Sequence, residues 1–172
     1  MRIFVAITAI VAAFSLAGPA AAQDDPNWER ITVPSGTASY SVPCAKQDIQ
    51  TGQMNGVDAA GCKWQGFQIM LLVMPEQMWD IEGVTDQPYD QTREQLLADP
   101  GTAYLNDIEI ANTRGFYAEG MSSSGKVATV MIDLNQDRLL IMLVESDNSP
   151  AAEAGISDLF AKVWGSLEVA PQ

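Results

Sequence analysis

The chain has 172 residues, 22 acidic against 9 basic, and no histidine, for a net charge of −13. A surface this negative repels phosphate backbones and anionic lipid headgroups, which argues against a nucleic-acid partner. The missing histidine removes Ser-His-Asp and Cys-His catalysis, the usual general base near neutral pH, and most zinc and copper(II) sites.

At the start of the chain, Arg2 precedes an apolar run over residues 3–16, and Ala20, Ala21 and Ala22 supply the small residues a signal peptidase needs. The run is shorter than the roughly 20 apolar residues of a membrane-spanning helix, and Gly18-Pro19 follows it. No cysteine sits at its end for lipid attachment. The expectation is a secretory signal peptide over 1–22 and a single globular domain over 23–172, periplasmic or secreted. A mature chain of 150 residues is long enough for one core, and no later stretch is apolar for long enough to form a membrane segment.

Strand-like sequence begins at 31–33 and again at 38–42. Cys44 and Cys62 are the two cysteines, and in an exported chain such a pair is expected as a disulfide. Their spacing is not that of a CxxC redox pair, and without histidine they make a poor zinc site. Residues 47–61, rich in Gly, Asn, Asp and Gln, read as a loop pinned by the bridge at both ends.

Residues 63–74 predict a strand covered on both faces, with Phe67, Ile69, Leu71 and Val73 on one and Met70, Leu72 and Met74 on the other. Pro75 then suits the start of a helical turn reaching Trp79. After an acid- and glycine-containing loop, residues 89–98 predict a short helix closed by Asp99-Pro100-Gly101. Its packing face is expected from Leu96 and Leu97, with Tyr89 or Arg93 behind them.

Four strand-like runs follow at 108–112, 116–121, 127–134 and 138–145, joined by short turn-rich connections as in an antiparallel meander. The last two are apolar on both faces. Ser149 is a good N-cap, Pro150 suits the first helical position and Glu153 complements the dipole. Ile156, Leu159, Phe160, Val163 and Trp164 form one helical stripe, Gly165 ends it, and Leu167 and Val169 suggest a last short strand. Strands apolar on both faces need cover on both. The expected fold class is therefore α+β, a three-layer α/β/α sandwich around one antiparallel sheet.

This order of elements resembles the PsbP-like family, the fold shared by a photosystem II extrinsic subunit and the Mog protein. The resemblance is carried by ASYSVP at 38–43, the strand at 67–74, the helix at 91–98, the run 115–145, and the closing Leu159-Phe160 to Ser166-Leu167. The Cys44–Cys62 pair and the polar stretch between them depart from the family pattern. The likeness implies an exported accessory or binding protein, and carries over no functional residue.

Other constellations have plainer explanations. Ser123-x-x-Lys126 with Ser146-Asp147-Asn148 echoes penicillin-binding motifs, but Ser123 falls in a predicted turn and no Lys-Thr-Gly exists. Asp133-x-Asn135-x-Asp137 opens like a calcium loop, yet Arg138 and Val144 stand where that loop needs Gly and Glu, and turn chemistry explains it better. Met70, Met74 and Met78 repeat every four residues, as thioethers for copper(I) would, but core filling is the ordinary use of methionine. Asp80, Glu82, Asp86 and Asp90 are an acidic loop able to attract a divalent cation, or simply solvated.

Trp28, Trp64, Trp79 and Tyr89 are the aromatics expected to reach the surface. Trp79, Asp80, Glu82, Asp86, Tyr89 and Asp90 together make the expected binding edge. The functional expectation is a non-enzymatic accessory or protein-binding domain that needs no cofactor and meets another exported or envelope protein. The alternative is a small-ligand or metal-ion carrier in the periplasm. Catalysis by paired carboxylates ranks last, because the pattern places no pair in a cleft.

Overall fold

The computed structural model describes residues 28–75, 88–110, 113–134 and 138–170. They form ten strands and two α-helices: β1 (Glu29–Thr32), β2 (Ala38–Val42), β3 (Gln50–Met54), β4 (Val57–Trp64), β5 (Phe67–Pro75), α1 (Pro88–Ala98), β6 (Thr102–Ile110), β7 (Thr113–Met121), β8 (Lys126–Leu134), β9 (Arg138–Ser146), α2 (Pro150–Gly165) and β10 (Glu168–Val169). The fold is α+β. Seven strands make one antiparallel sheet in the order β3-β4-β5-β9-β8-β7-β6, and β1-β2-β10 make a second. Residues 1–27, which include the expected leader over 1–22, lie outside the described residues.

The central strands behave as their sequence requires. Phe67, Ile69, Leu71 and Val73 enter one core with Ala128, Val130, Ile132, Leu140, Met142 and Val144, while Met70, Leu72 and Met74 enter another with Met131, Leu139, Ile141 and Leu143. Met70 and Met74 are buried core residues, the plain use of methionine. The first core is closed by Ile156, Leu159, Phe160 and Val163 of α2, and the second contains Tyr89 and Leu96 of α1. The cap of α2 forms as expected: Ser149 Oγ accepts from the Ala152 N–H, with Pro150 next in line.

Three expectations change. On the α2 side the cover is mixed rather than purely helical, because Ile31, Ala38, Tyr40 and Val42 of the small sheet, with Val33 just after β1, enter the same core. Tyr40 Oη donates to the Ala60 carbonyl at 2.6 Å and ties that sheet to β4. Residues 47–61 are not a loop but carry a hairpin. Asn55 and Gly56, at φ 52° and 82°, turn β3 into β4 with the paired positive φ of a type I′ turn. Gln65-Gly66, at 46° and 81°, does the same between β4 and β5, so the stretch 63–74 spans the end of one strand and most of the next.

The helix α1 also packs differently from the sequence pattern. Tyr89, Thr92 and Leu96 are buried, whereas Leu97 is 56% exposed. Positions i, i+3 and i+7 share one helical face, and Leu97 is rotated off it. Pro75 closes β5, and the helical turn expected to follow it lies outside the described residues.

Candidate partner-binding edge

Cys44 and Cys62 are bonded, with Cα atoms 6.5 Å apart, and both are buried. Of the expected binding edge, Trp79, Asp80, Glu82 and Asp86 lie outside the described residues, as does Met78. Tyr89 and Asp90 sit in the first turn of α1. Tyr89 is not a surface aromatic: it is 3% exposed, and its ring meets Phe116 at 5.3 Å between centroids. Packing against the sheet outweighs what its loop-side position suggested. Burial pushes its phenol up to about 12. Trp28 is exposed, while Trp64 is half-buried and stacks with Phe67.

Asp90 belongs to an ion cluster centred on Arg114 of β7. Arg114 Nη1 donates to Asp90 at 2.9 Å, Nε donates to Asp133 at 2.7 Å, and the guanidinium lies 4.6 Å from the Tyr89 ring centroid. Asp133 is 6% exposed, and Arg114 meets its carboxylate there. Burial works against the Arg114 charge, but the Asp133 hydrogen bond and the two carboxylates hold its pKa above the ordinary value. Nearby, Arg93 of α1 holds Asp107 of β6 through two bonds of 2.6 Å, which keeps the Asp107 carboxyl below its usual range. These pairs clamp α1 to the sheet.

On the opposite face of the same strands, rings run from the sheet edge towards α2: Tyr104 meets Tyr117 at 5.9 Å, Tyr117 meets Phe160 at 5.0 Å, and Phe160 meets Trp164 at 6.5 Å. Tyr117 Oη donates to Glu119, which also receives Ser157 Oγ at 3.2 Å and pairs with Lys126 Nζ at 3.1 Å. Burial alone would raise the Glu119 pKa. The bonds from Tyr117, Lys126 and Ser157 outweigh it and bring the net shift below the ordinary value.

The feature the sequence reading missed is the first part of β6, residues 102–107. The strand runs from Thr102, six residues before the strand expected at 108, and forms one end of the seven-stranded sheet. Its register puts Tyr104, Asn106, Ile108 and Ile110 opposite Glu119, Tyr117, Gly115 and Thr113, on the α2 side. Asp107, opposite Phe116, and Glu109 face the α1 side. The alternation of Asp107 and Glu109 with Ile108 and Ile110 was the available signal.

The residues of the Ser-x-x-Lys and Ser-Asp-Asn motifs serve turns, whereas of the calcium-like run Asp133 lies in β8 and Asn135 and Asp137 lie outside the described residues. Ser122 Oγ donates to Glu145 and accepts from the Ser124 and Gly125 N–H groups, while Ser146 Oγ accepts from the Lys126 N–H. Asp147 accepts from the Ser149 N–H beside the α2 cap. Among the described residues, no three acids or cysteines converge as metal ligands.

No family profile and no curated protein matches the chain. Among solved structures, cyanobacterial PsbP from Synechocystis aligns over 89% of this chain and 98% of its own, with a TM-score of 0.52 at 10% identity. The fold is PsbP-like. A protein of unknown function from Pseudomonas aeruginosa, described as a putative regulator, aligns over 84% of this chain and 99% of its own at 13% identity and a TM-score of 0.45. At these identities the likeness concerns the PsbP-like scaffold and no residue of a site. Among the described residues no helix is long and apolar enough to cross a membrane.

Proposed function

We propose that this chain is an exported accessory domain that binds another exported or envelope protein, and that its contact involves α1, β6 and residues 79–86. The observation that carries this reading is charge. Between Pro88 and Ile110 the chain has five carboxylates, Asp90, Glu94, Asp99, Asp107 and Glu109, against one cation, Arg93, and although Arg93 and Arg114 of β7 offset Asp107 and Asp90 the balance stays negative. Trp79, Asp80, Glu82, Asp86 and Asp90 are the residues proposed to supply the contact, and Tyr89 anchors the first turn of α1 to the core. A PsbP-like scaffold supports the reading, because it offers a sheet with an outer layer on each side and needs no catalytic set. The Cys44–Cys62 bridge supports a periplasmic or secreted location, with the leader cut after Ala22 and residues 23–172 folding as one domain.

The test is cross-linking of the tagged mature protein in native envelope extract. A reproducible exported partner cross-linked through residues 79–110 is expected. Recovery of none, or of partners attached only elsewhere on the surface, contradicts the reading. The carrier alternative has no observation behind it among the described residues.

A further inference from the structure

Resting on that reading, we propose that the outer edge of β6 accepts an extended segment of the partner, bearing alternate basic and apolar residues, as an added strand. β6 ends the seven-stranded sheet: β7 pairs along one side, and among the described residues no strand pairs along the other. A sheet edge carries a row of backbone N–H and C=O groups that another chain can use, and natural proteins blunt such edges with lysine, proline, bulges or very short strands.

Of the devices that blunt an edge, β6 has a bulge at its start and two acidic side chains. It is nine residues long, TAYLNDIEI, with no Pro, Lys or Arg. Its one irregularity is at the start, between Thr102 and Tyr104, so residues 104–110 run in regular register. Its charges are Asp107, which Arg93 of α1 already holds, and Glu109, and with the acidic run around them they favour a basic strand over an acidic one.

The two faces of β6 specify what would fit. A strand added beside it places successive side chains on alternate faces of the sheet, next to those of β6. On the α2 side those neighbours are Tyr104, 52% exposed, the exposed Asn106, and the half-buried Ile108 and Ile110, with Met121 of β7 exposed on the same face. On the α1 side they are the half-buried Leu105 and the acids Asp107 and Glu109. The complementary segment carries Val, Ile or aromatic residues at one parity and Lys or Arg at the other. A second copy of this chain fits poorly: it brings the same two acids to the joint, on a molecule that already carries −13.

The probe is a nine-residue peptide alternating Lys with Val and Ile. Two controls accompany it, one with Glu for Lys and one N-methylated on alternate amides so that one edge cannot pair. Amide exchange is followed across 50–54 and 102–110. The basic peptide is expected to slow exchange in 102–110 by at least about tenfold, leaving 50–54 unchanged, while both controls do nothing. The double variant Asn106→Lys/Glu109→Lys, whose exposed positions leave the fold intact by circular dichroism, is expected to weaken binding by at least about tenfold. Equal protection by the N-methylated peptide shows a mere charge attraction and overturns strand addition. So does protection centred on 50–54, or peptide-free protection of 102–110 that grows with protein concentration, which would mean self-pairing. If the peptide fails while an exported partner still cross-links through 79–110, strand addition falls and the accessory reading stands. If no partner cross-links there, the reading itself falls.

Discussion

The seven-stranded sheet ends in β3 on one side and β6 on the other, and the two ends are built on opposite plans. β3 is five residues long, QTGQM, mostly exposed, and turns directly into β4 through Asn55-Gly56. The bridge between Cys44, just ahead of it, and Cys62 on its neighbour fastens that end covalently. β6 is nearly twice as long, alternates acid with isoleucine, and is held to α1 by side-chain ion pairs. A short polar edge has little to offer a passing strand. A long, amphipathic edge without lysine or proline has much more, and its retention in a protein that must stay unaggregated is explained if a partner uses it. The difference is what the proposed strand addition at β6 rests on.

The largest way to break this comparison is at the covalent end. Cys44→Ser/Cys62→Ser should lose roughly 3 kcal/mol of unfolding free energy, from a closed loop of this length. Amide exchange should rise first in 50–54, with 102–110 changed only through the global stability. Next comes the clamp behind β6. Arg114→Met leaves the buried Asp133 carboxylate without its guanidinium and should cost about 2 kcal/mol in denaturant unfolding, with Asp133→Asn in the same background restoring part of it.

A smaller effect comes from acid. Because the folded state lowers the Glu119 pKa, its contribution to stability is present above its ordinary value of 4.5 and is lost as pH falls through the folded pKa. Melting curves taken between neutral pH and pH about 3 should fall with acid less steeply in Glu119→Gln than in the parent. The smallest effect is Tyr104→Ala. With the side chain half exposed, stability should change by no more than about 0.5 kcal/mol, while partner capture drops. A large loss of stability instead would make Tyr104 a core residue and weaken the case for β6.

How much of this was legible depends on where the apolar residues lie. β5, β8, β9 and α2 are apolar at a clean period of 2 or 3.6, and Ser149-Pro150 announces the helix. β3 has no apolar face at all, so its only signal was the Asn55-Gly56 turn, which in a polar stretch reads equally as loop. Gln65-Gly66 was hidden because the residues around it look like one continuous strand. The small sheet depends on β2 pairing with β10, 126 residues later, which no local pattern contains. Tyr89 was misplaced because an aromatic beside an acidic loop carries no mark of which way its helix turns. β6 was legible only from 108 onward, since Tyr104, Leu105 and Asn106 break the alternation. The acidity of that end, by contrast, was readable from the start.

The most direct test is residue-resolved amide exchange on the protein alone and in complex with the exported partner recovered by cross-linking. Protection gained across residues 104–110, with 50–54 exchanging as before, is the predicted result. A complex in which 104–110 exchanges as fast as in the free protein, while protection appears elsewhere on the surface, contradicts it.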